Sequence, residues 1–232
     1  MGLGDRLHAH VPGRMKAWRF DLAGTLLDTA PDLHRALSTL LAEEDREAIP
    51  LELMRRYVSR GARGLVRLAF GEVADDTTLT TRLVEHYARD IASATRLFDG
   101  LEPLPEALKA RGLTWGIVTN KLEVLARQVL DALPQAAVLQ DCALLIGGDT
   151  AGERKPHPAP LLLAADRLAL PVADIVYVGD ALSDIEAGRR AGMTTVSVGW
   201  GYVPDDVAPP TAWQADHHAD RPRDLLALIN TL

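Results

Sequence analysis

Short apolar runs typical of β-strands alternate with helical patterns along most of this 232-residue chain. Strands that alternate with helices of this length predict βαβ units and a parallel sheet with helices on both faces. Such a sheet brings functional side chains together where its strands end and its loops begin. The candidate strands cover residues 16–22, 114–119, 143–148, 174–180 and 194–199.

The interval 31–99 breaks this alternation. It holds no convincing strand, and its apolar residues recur at helical spacing. The charge run over 43–47 is typical of a solvated helix end. We therefore predict an α/β fold whose core domain, a Rossmann-like parallel sheet with its helices, covers 1–30 and 100–232. An α-helical cap domain over 31–99 is predicted to be inserted after the first strand.

Composition limits the classes of partner. A net charge of −7 argues against general binding to nucleic acid or to an anionic membrane. The single cysteine, Cys142, cannot form an internal disulfide, which favours a reducing compartment and a cytoplasmic location. No apolar run reaches the roughly 18 residues of a membrane span. Residues 1–14 lack the apolar core of a signal peptide and are interpreted as a loose extension before Met15.

Polar side chains recur at the ends of the predicted strands. A polar strand end is weak evidence by itself, because aspartate often caps a helix. Capping does not readily explain why one sheet edge should carry a carboxylate, a hydroxyl, a lysine and an acidic pair. These residues are Asp21 after the first strand, Thr119 and Asn120 after the second, Lys155 beyond the third, and Asp180 with Asp184 after the fourth.

These four motifs, in this order and spacing, resemble the haloacid dehalogenase superfamily of phosphohydrolases. The resemblance covers residues 15–232. The segments FDLAGTLLDTAPDL, GIVTNK and IGGDT followed by KPHPAPLLLAADRL are similar to the phosphoglycolate phosphatase branch. The segments VSRGARGLVRLAF, RLFDG, WGYV and WQADHHADRPRDL look closer to N-acetylmuramic acid 6-phosphate phosphatases, and they favour that substrate.

The resemblance implies Mg²⁺-dependent hydrolysis of a small phosphorylated metabolite. Asp21 is expected to attack phosphorus and form an aspartyl-phosphate. Asp21, Asp180 and the backbone carbonyl of Ala23 are the expected Mg²⁺ ligands, with Asp184 as a further ligand or a support to the others.

The resemblance also assigns residues to the phosphoryl group and the leaving group. Thr119, the Asn120 amide and the amides of the turn at Gly24 and Thr25 are expected to bind phosphoryl oxygens, and Lys155 is expected to neutralise their charge. Arg60 and Arg63, in the segment SRGARG of the cap, have two interpretations of equal weight. They either bind a substrate carboxylate or lie on a solvated helix face.

One expected acid is missing. In the superfamily, the second residue after the nucleophile is usually an aspartate that protonates the leaving alcohol and then activates water. Here that residue is Ala23, which has no ionisable group. General acid–base catalysis is typically worth about 10²- to 10⁴-fold in rate. We therefore expect the chain to bind its substrate and to turn it over poorly.

Three explanations for Ala23 compete. Phosphonoacetaldehyde hydrolase, a family member, carries alanine there and uses a Schiff-base lysine from its cap, but none of the four lysines (Lys16, Lys109, Lys121, Lys155) lies within 31–99. A substitution that disables an otherwise intact phosphatase is favoured, because the other catalytic positions are present. A pseudo-phosphatase that binds a phosphorylated ligand stays open. A phospho-accepting receiver domain is about half this length and lacks a helical insert, so the insert after the first strand favours the phosphatase.

Overall fold

The computed structural model describes residues 15–72, 76–135, 139 and 141–232. The predicted extension over 1–14 lies outside these residues. Six parallel strands form the central sheet, and the other two form a separate antiparallel pair. In chain order the strands are β1 (Ala17–Phe20), β2 (Leu27–Asp28), β3 (Arg96–Leu97), β4 (Thr114–Val118), β5 (Leu145–Ile146), β6 (Ile175–Gly179), β7 (Thr194–Val198) and β8 (His217–Ala219).

Helices connect the strands of the central sheet and also fill the interval between β2 and β3. They are α1 (Ala30–Glu43), α2 (Leu51–Arg55), α3 (Gly61–Phe70), α4 (Asp76–Arg89), α5 (Leu104–Ala110), α6 (Glu123–Ala132), α7 (Ala159–Arg167), α8 (Leu182–Ala191) and α9 (Pro222–Thr231). Short 3₁₀ turns cover Val58–Arg60, Val172–Asp174 and Pro210–Ala212. Within the described residues, no helix is long and apolar enough to span a membrane.

The central sheet has the strand order β5-β4-β1-β6-β7-β8. Ala17 of β1 pairs with Thr114 of β4 on one side and with Ile175 of β6 on the other. Every residue of β1 and β6 is buried, as expected of central strands covered on both faces. The predicted α/β fold is confirmed. The strand predicted over 143–148 is shorter in the structure, where β5 covers only Leu145–Ile146. The segment His217–Ala219 forms the edge strand β8.

The helical insert begins and ends at a small antiparallel ribbon. Leu27 of β2 lies opposite Leu97 of β3, and Asp28 lies opposite Arg96. Between these strands, α1 packs on α4, and α3 packs on α4. The interval 31–99 was predicted to hold no strand, and β3 lies there, so this prediction missed the ribbon.

The apolar core is continuous from the sheet into the insert. Trp18 and Phe20 of β1 belong to the same buried cluster as Leu37 of α1 and Leu83 of α4. A second cluster covers the opposite face of the sheet, where α7 and α8 pack. The shared core places the helices α1 to α4 against the end of β1, where Asp21 follows.

Candidate active site

Asp21 follows the last residue of β1 at the centre of the sheet. Its backbone N–H donates to the Val178 carbonyl at 2.9 Å, which continues the pairing of β1 with β6 one residue beyond the strand. The side chain is nearly buried, and its Oδ1 accepts a hydrogen bond of 2.9 Å from Lys155 Nζ. Among the described residues no donor approaches its Oδ2, which leaves that oxygen free to react.

Lys155 is a buried cation held among oxygen atoms. Its Nζ donates to the Val118 carbonyl at 2.9 Å and to the Tyr177 hydroxyl at 2.7 Å, and it lies 2.7 Å from Asp184 Oδ1. Burial lowers the pKa of Lys155, but the charges of Asp184 and Asp21 more than offset this, so the pKa is raised. The ammonium therefore stays protonated beside Asp21.

Asn120 fixes the backbone of Lys155. The Asn120 carboxamide donates to the Lys155 carbonyl at 2.9 Å and accepts from the Lys155 N–H at 3.0 Å. The carboxamide thus has two backbone partners within the protein, and the predicted contact of Asn120 with a phosphoryl group stays a prediction. The neighbouring Thr119 is buried, and its Oγ1 accepts from the Lys121 N–H at 3.3 Å.

Three carboxylates converge beside Lys155. Asp21, Asp180 and Asp184 each offer an oxygen, and these oxygens lie within 4.8 Å of one another. Burial raises the pKa of Asp180 well above its usual range, and the charges of Asp21 and Asp184 raise it further. Burial also raises the pKa of Asp184, although Lys155 opposes the shift. Three acids around one lysine form a site that a divalent cation would stabilise.

Two glycines allow the backbone to approach Asp180 closely. Gly24 has φ of +92°, and a Cβ placed there would lie 2.1 Å from Asp180 Oδ2. A Cβ at Gly201 would lie 2.1 Å from the Asp180 Cβ. The carboxylate accepts from Thr25 Oγ1 and from the Tyr202 N–H, both at 2.9 Å. The segment WGYV therefore borders the site.

Ala23 lies in a tight turn between Asp21 and β2. The Gly24 N–H donates to the Leu27 carbonyl at 2.9 Å, so this amide already has a partner. In the part of the chain that the structure describes, no donor approaches the Ala23 carbonyl and no acceptor faces the Thr25 N–H. A backbone N–H or carbonyl without a partner in the protein is available to bind a ligand.

Residues 15–192 match the family model of the haloacid dehalogenase-like hydrolases. This chain belongs to that family. The resemblance seen in the four strand-end motifs is confirmed.

Relatives of this haloacid dehalogenase-like hydrolase are named phosphatases. A phosphoglycolate phosphatase of Xanthomonas campestris is 44% identical over 213 residues, covering 90% of this chain and 94% of the relative. An N-acetylmuramic acid 6-phosphate phosphatase of Pseudomonas putida is 39% identical over 222 residues, covering 94% and 97%. The crystal structure of a predicted phosphoglycolate phosphatase from Haemophilus somnus superposes with a TM-score of 0.81 at 26% identity, covering 92% and 97%. These matches place the chain among the phosphatases of its family.

Arg60 and Arg63 have carboxylate partners within the protein. Arg60, at the turn before α3, donates from its Nη2 to both carboxylate oxygens of Asp206 in the loop after β7. Arg63 Nε lies 3.2 Å from Asp76, and 58% of the Arg63 side chain is exposed. Either guanidinium would have to leave its partner or share it in order to bind a substrate carboxylate.

A cleft of about 500 Å³ lies between α2 and the loop after β7. On one side the cleft is lined by Arg55, the last residue of α2, and by Arg56, which follows it. On the other side it is lined by Gly201 and Asp205 of the loop after β7. Since Gly201 also touches Asp180, the cleft borders the acidic cluster.

Two tyrosines of the site were missed in the sequence. Tyr177, on β6, donates to the Val118 carbonyl at 2.8 Å and contacts Lys155. Tyr202 donates its hydroxyl to Asp28 at 2.7 Å, while its backbone N–H binds Asp180. Tyr177 could have been predicted from its position in β6. It lies two residues before Gly179, the last residue of the strand, and residues two apart share one face of a sheet. The aromatic loop WGYV was the only signal for Tyr202.

Proposed function

We propose that this chain is a phosphomonoesterase that acts on a small phosphorylated metabolite through Asp21, with turnover limited by Ala23. The observation that carries the proposal is the contact of Lys155 with Asp21 at 2.9 Å, at the sheet edge where Asp180 and Asp184 converge. A carboxylate with one oxygen held by a cation and the other free is suited to attack on phosphorus.

The residues present fit Mg²⁺, a hard cation that prefers oxygen ligands. Asp21, Asp180 and the Ala23 carbonyl would hold it. Both oxygens of Asp184 have partners already, Lys155 at 2.7 Å and the Ala181 N–H at 3.0 Å, which favours a role in orienting the ligands. When bound, Mg²⁺ would neutralise phosphate charge and polarise the phosphoryl group.

The protein's own groups account for the first half of the reaction. Asp21 Oδ2 forms a bond to phosphorus while the bond from phosphorus to the leaving oxygen breaks, and Lys155 keeps Asp21 oriented and neutralises charge. Thr119 and the Thr25 N–H, which has no acceptor among the described residues, would bind phosphoryl oxygens. The leaving oxygen then needs a proton, and the aspartyl-phosphate needs an activated water. Ala23 can supply neither, so both halves are expected to be slow.

The proposed substrate carries a phosphate and a carboxylate. The relatives are named for phosphoglycolate and for N-acetylmuramic acid 6-phosphate. Both molecules are phosphomonoesters of acids. The stretches that resemble the muramic acid enzymes favour that substrate, whereas the 44% identity to a phosphoglycolate phosphatase supports the smaller one.

A second function is supported by one observation. Because Ala23 has no ionisable group, the chain is suited to bind a phosphorylated ligand without hydrolysing it. This pseudo-phosphatase would use the same residues for binding. It differs from a disabled enzyme only in how it responds when the acid is restored.

Phosphate release by Ala23→Asp tests the proposal. The variant is assayed with Mg²⁺ against a panel that includes 2-phosphoglycolate and N-acetylmuramic acid 6-phosphate. We expect release on at least one of them, and its loss in the double variant Asp21→Asn, Ala23→Asp. A folded Ala23→Asp protein that is silent on the whole panel would contradict the enzyme function and favour ligand binding.

A further inference from the structure

Lys121 is a cation beside the site that lacks a carboxylate partner. Each of the other three lysines has one: Lys16 with Asp174 at 2.7 Å, Lys155 with Asp21 and Asp184, and Lys109 with Asp141 at 4.0 Å. Among the described residues, no carboxylate oxygen lies within 4.0 Å of Lys121 Nζ. A partly buried charge without a partner of opposite sign is unfavourable. A bound anion would offset this cost, so Lys121 is suited to an anion-binding site.

Backbone contacts fix the position of Lys121. It follows Thr119 and Asn120 in the loop after β4, where its carbonyl accepts from the Gly148 N–H at 2.8 Å and its N–H donates to Thr119 Oγ1 at 3.3 Å. The same loop supplies two residues predicted to bind the phosphoryl group. The side chain of Lys121 therefore starts from the phosphate end of the site.

The ammonium group of Lys121 reaches the cap. Its Nζ lies 3.3 Å from the hydroxyl of Tyr87 on α4 and 4.4 Å from the centre of the Tyr87 ring. Tyr87 is buried, so the ring holds the ammonium by a cation–π contact. Burial lowers the pKa of Lys121 to about 8, and the negative charge of Asp21 opposes this shift. The cation thus lies between the nucleophile and the cap.

The arginines near the cleft have carboxylate partners within the protein, although Arg63 and Arg67 share that of Asp76. Arg55 pairs with Asp28 and Arg56 with Asp205, each at 2.7 Å. Arg60 and Arg63 pair with Asp206 and Asp76. A carboxylate on the substrate would compete with a protein carboxylate at each arginine, whereas Lys121 offers a charge without such competition.

We infer that Lys121 binds the carboxylate of the substrate's leaving group and makes this protein selective for phosphorylated acids over neutral phosphate esters. The inference rests on the proposed function, because it takes the phosphate to be bound at Asp21. In this arrangement Tyr87 is a positioning residue that holds the Lys121 ammonium toward the substrate.

Calorimetry on the chain as it exists, at neutral pH with Mg²⁺, measures this selectivity without turnover. The two probes are 2-phosphoglycolate and 2-hydroxyethyl phosphate. The first carries a carboxylate where the second carries a hydroxymethyl group. We expect the acid to bind about ten- to a hundredfold more tightly, the value of one charge-assisted hydrogen bond. Lys121→Met should abolish the preference and leave the affinity for 2-hydroxyethyl phosphate unchanged.

Two further variants separate charge from structure. Lys121→Arg keeps a cation and should retain most of the preference. Lys109→Met removes an exposed lysine elsewhere and should leave both affinities unchanged. Equal weakening of both probes in Lys121→Met, or a preference that survives this change, would overturn the inference while the phosphatase function stands. Failure of the parent chain to bind either probe would instead overturn the proposed function and the inference with it.

Discussion

Tyr202 connects the acidic cluster to the ribbon at which the cap begins. Its backbone N–H donates to Asp180 at 2.9 Å, and its hydroxyl donates to Asp28 at 2.7 Å. The same hydroxyl accepts from the backbone N–H groups of Thr29 at 2.8 Å and Ala30 at 3.1 Å, at the start of α1. One buried residue thus links the start of α1 to a predicted metal ligand.

Tyr202→Phe should destabilise the protein. The change removes the hydroxyl and leaves two buried backbone donors and one carboxylate oxygen with fewer partners. A buried group that loses its partner costs about 1–3 kcal/mol. We expect the free energy of unfolding in urea to fall by that amount, with an unchanged dependence on urea concentration.

Tyr57→Phe is the matched control for this prediction. Among the described residues, the Tyr57 hydroxyl has no hydrogen-bond partner, and its ring lies 5.1 Å from the Arg60 guanidinium. Loss of that hydroxyl should leave stability unchanged. Equal stability of both variants would show that the hydroxyl network of Tyr202 contributes nothing measurable.

Asp32 joins the first turn of α1 to the segment that returns from the cap. Its fully buried carboxylate accepts from the Ala94 N–H at 3.0 Å, and from the N–H and hydroxyl of Thr95, both at 2.6 Å. Burial raises the pKa of Asp32, but the hydrogen bonds from Thr95, Ala94, Arg35 and Ser93 outweigh it, so the pKa is lowered. The folded state therefore favours the ionised carboxylate.

Asp32→Asn should lower stability in a pH-dependent way. A lowered pKa stabilises the fold above the ordinary aspartate pKa of about 3.9, and this contribution is lost as the pH falls through the folded pKa. The free energies of unfolding of the parent and the variant should thus differ most at neutral pH and converge in acid. A difference that stays constant between neutral and acidic pH would contradict the ionic contribution of Asp32.

The strand-end residues could be predicted because parallel strands end at one edge of a sheet. Asp21, Thr119 and Asp180 each follow a strand whose apolar run is visible in the sequence, and the structure places all three at that edge. The helical insert was visible from its 3.6-residue spacing. These features depend on local patterns, which a sequence shows directly.

Contacts between distant segments were not predictable in the same way. The carboxamide of Asn120 binds the backbone of Lys155, and Arg60 pairs with Asp206 of the loop after β7. No local pattern specifies such pairs, because each depends on how two loops meet in the folded chain. The ribbon of β2 and β3 was missed for another reason, since two-residue strands are too short to show an alternating pattern.

Asp180→Asn should weaken Mg²⁺ binding by about tenfold or more, because a predicted ligand loses its charge. Calorimetric titration of the folded protein with Mg²⁺ measures the change. Asp174→Asn is a matched control, since Asp174 is also buried but precedes β6, whereas Asp180 follows it. Unchanged Mg²⁺ affinity in Asp180→Asn, or equal loss in the control, would remove Asp180 from the metal site.

Arg63→Ala should leave the choice between 2-phosphoglycolate and 2-hydroxyethyl phosphate unchanged within about twofold, as is usual for an exposed surface residue. The Arg63 side chain is largely exposed and pairs with Asp76 in the same cap. Calorimetry with both probes measures the ratio of affinities. A selective loss of 2-phosphoglycolate binding would show that Arg63 binds the carboxylate, the alternative that the sequence left open.

The missing acid at Ala23 can be tested by two variants of nearly equal size. Ala23 is partly exposed, and the turn that it begins is fixed by the hydrogen bond from Gly24 to Leu27, so a longer side chain fits toward the site. We expect Ala23→Asp to release phosphate about 10²-fold or more faster than the parent chain, because it restores proton transfer.

Ala23→Asn has the same shape as Ala23→Asp but cannot transfer a proton, and it should stay near the parent rate. All three proteins should bind 2-phosphoglycolate with similar affinity, since the missing group acts in the transition state. The measurements are single-turnover phosphate release for the rate and calorimetry for the affinity. Equal gains in Ala23→Asp and Ala23→Asn would mean that the size of the side chain, rather than its acidity, limits this chain.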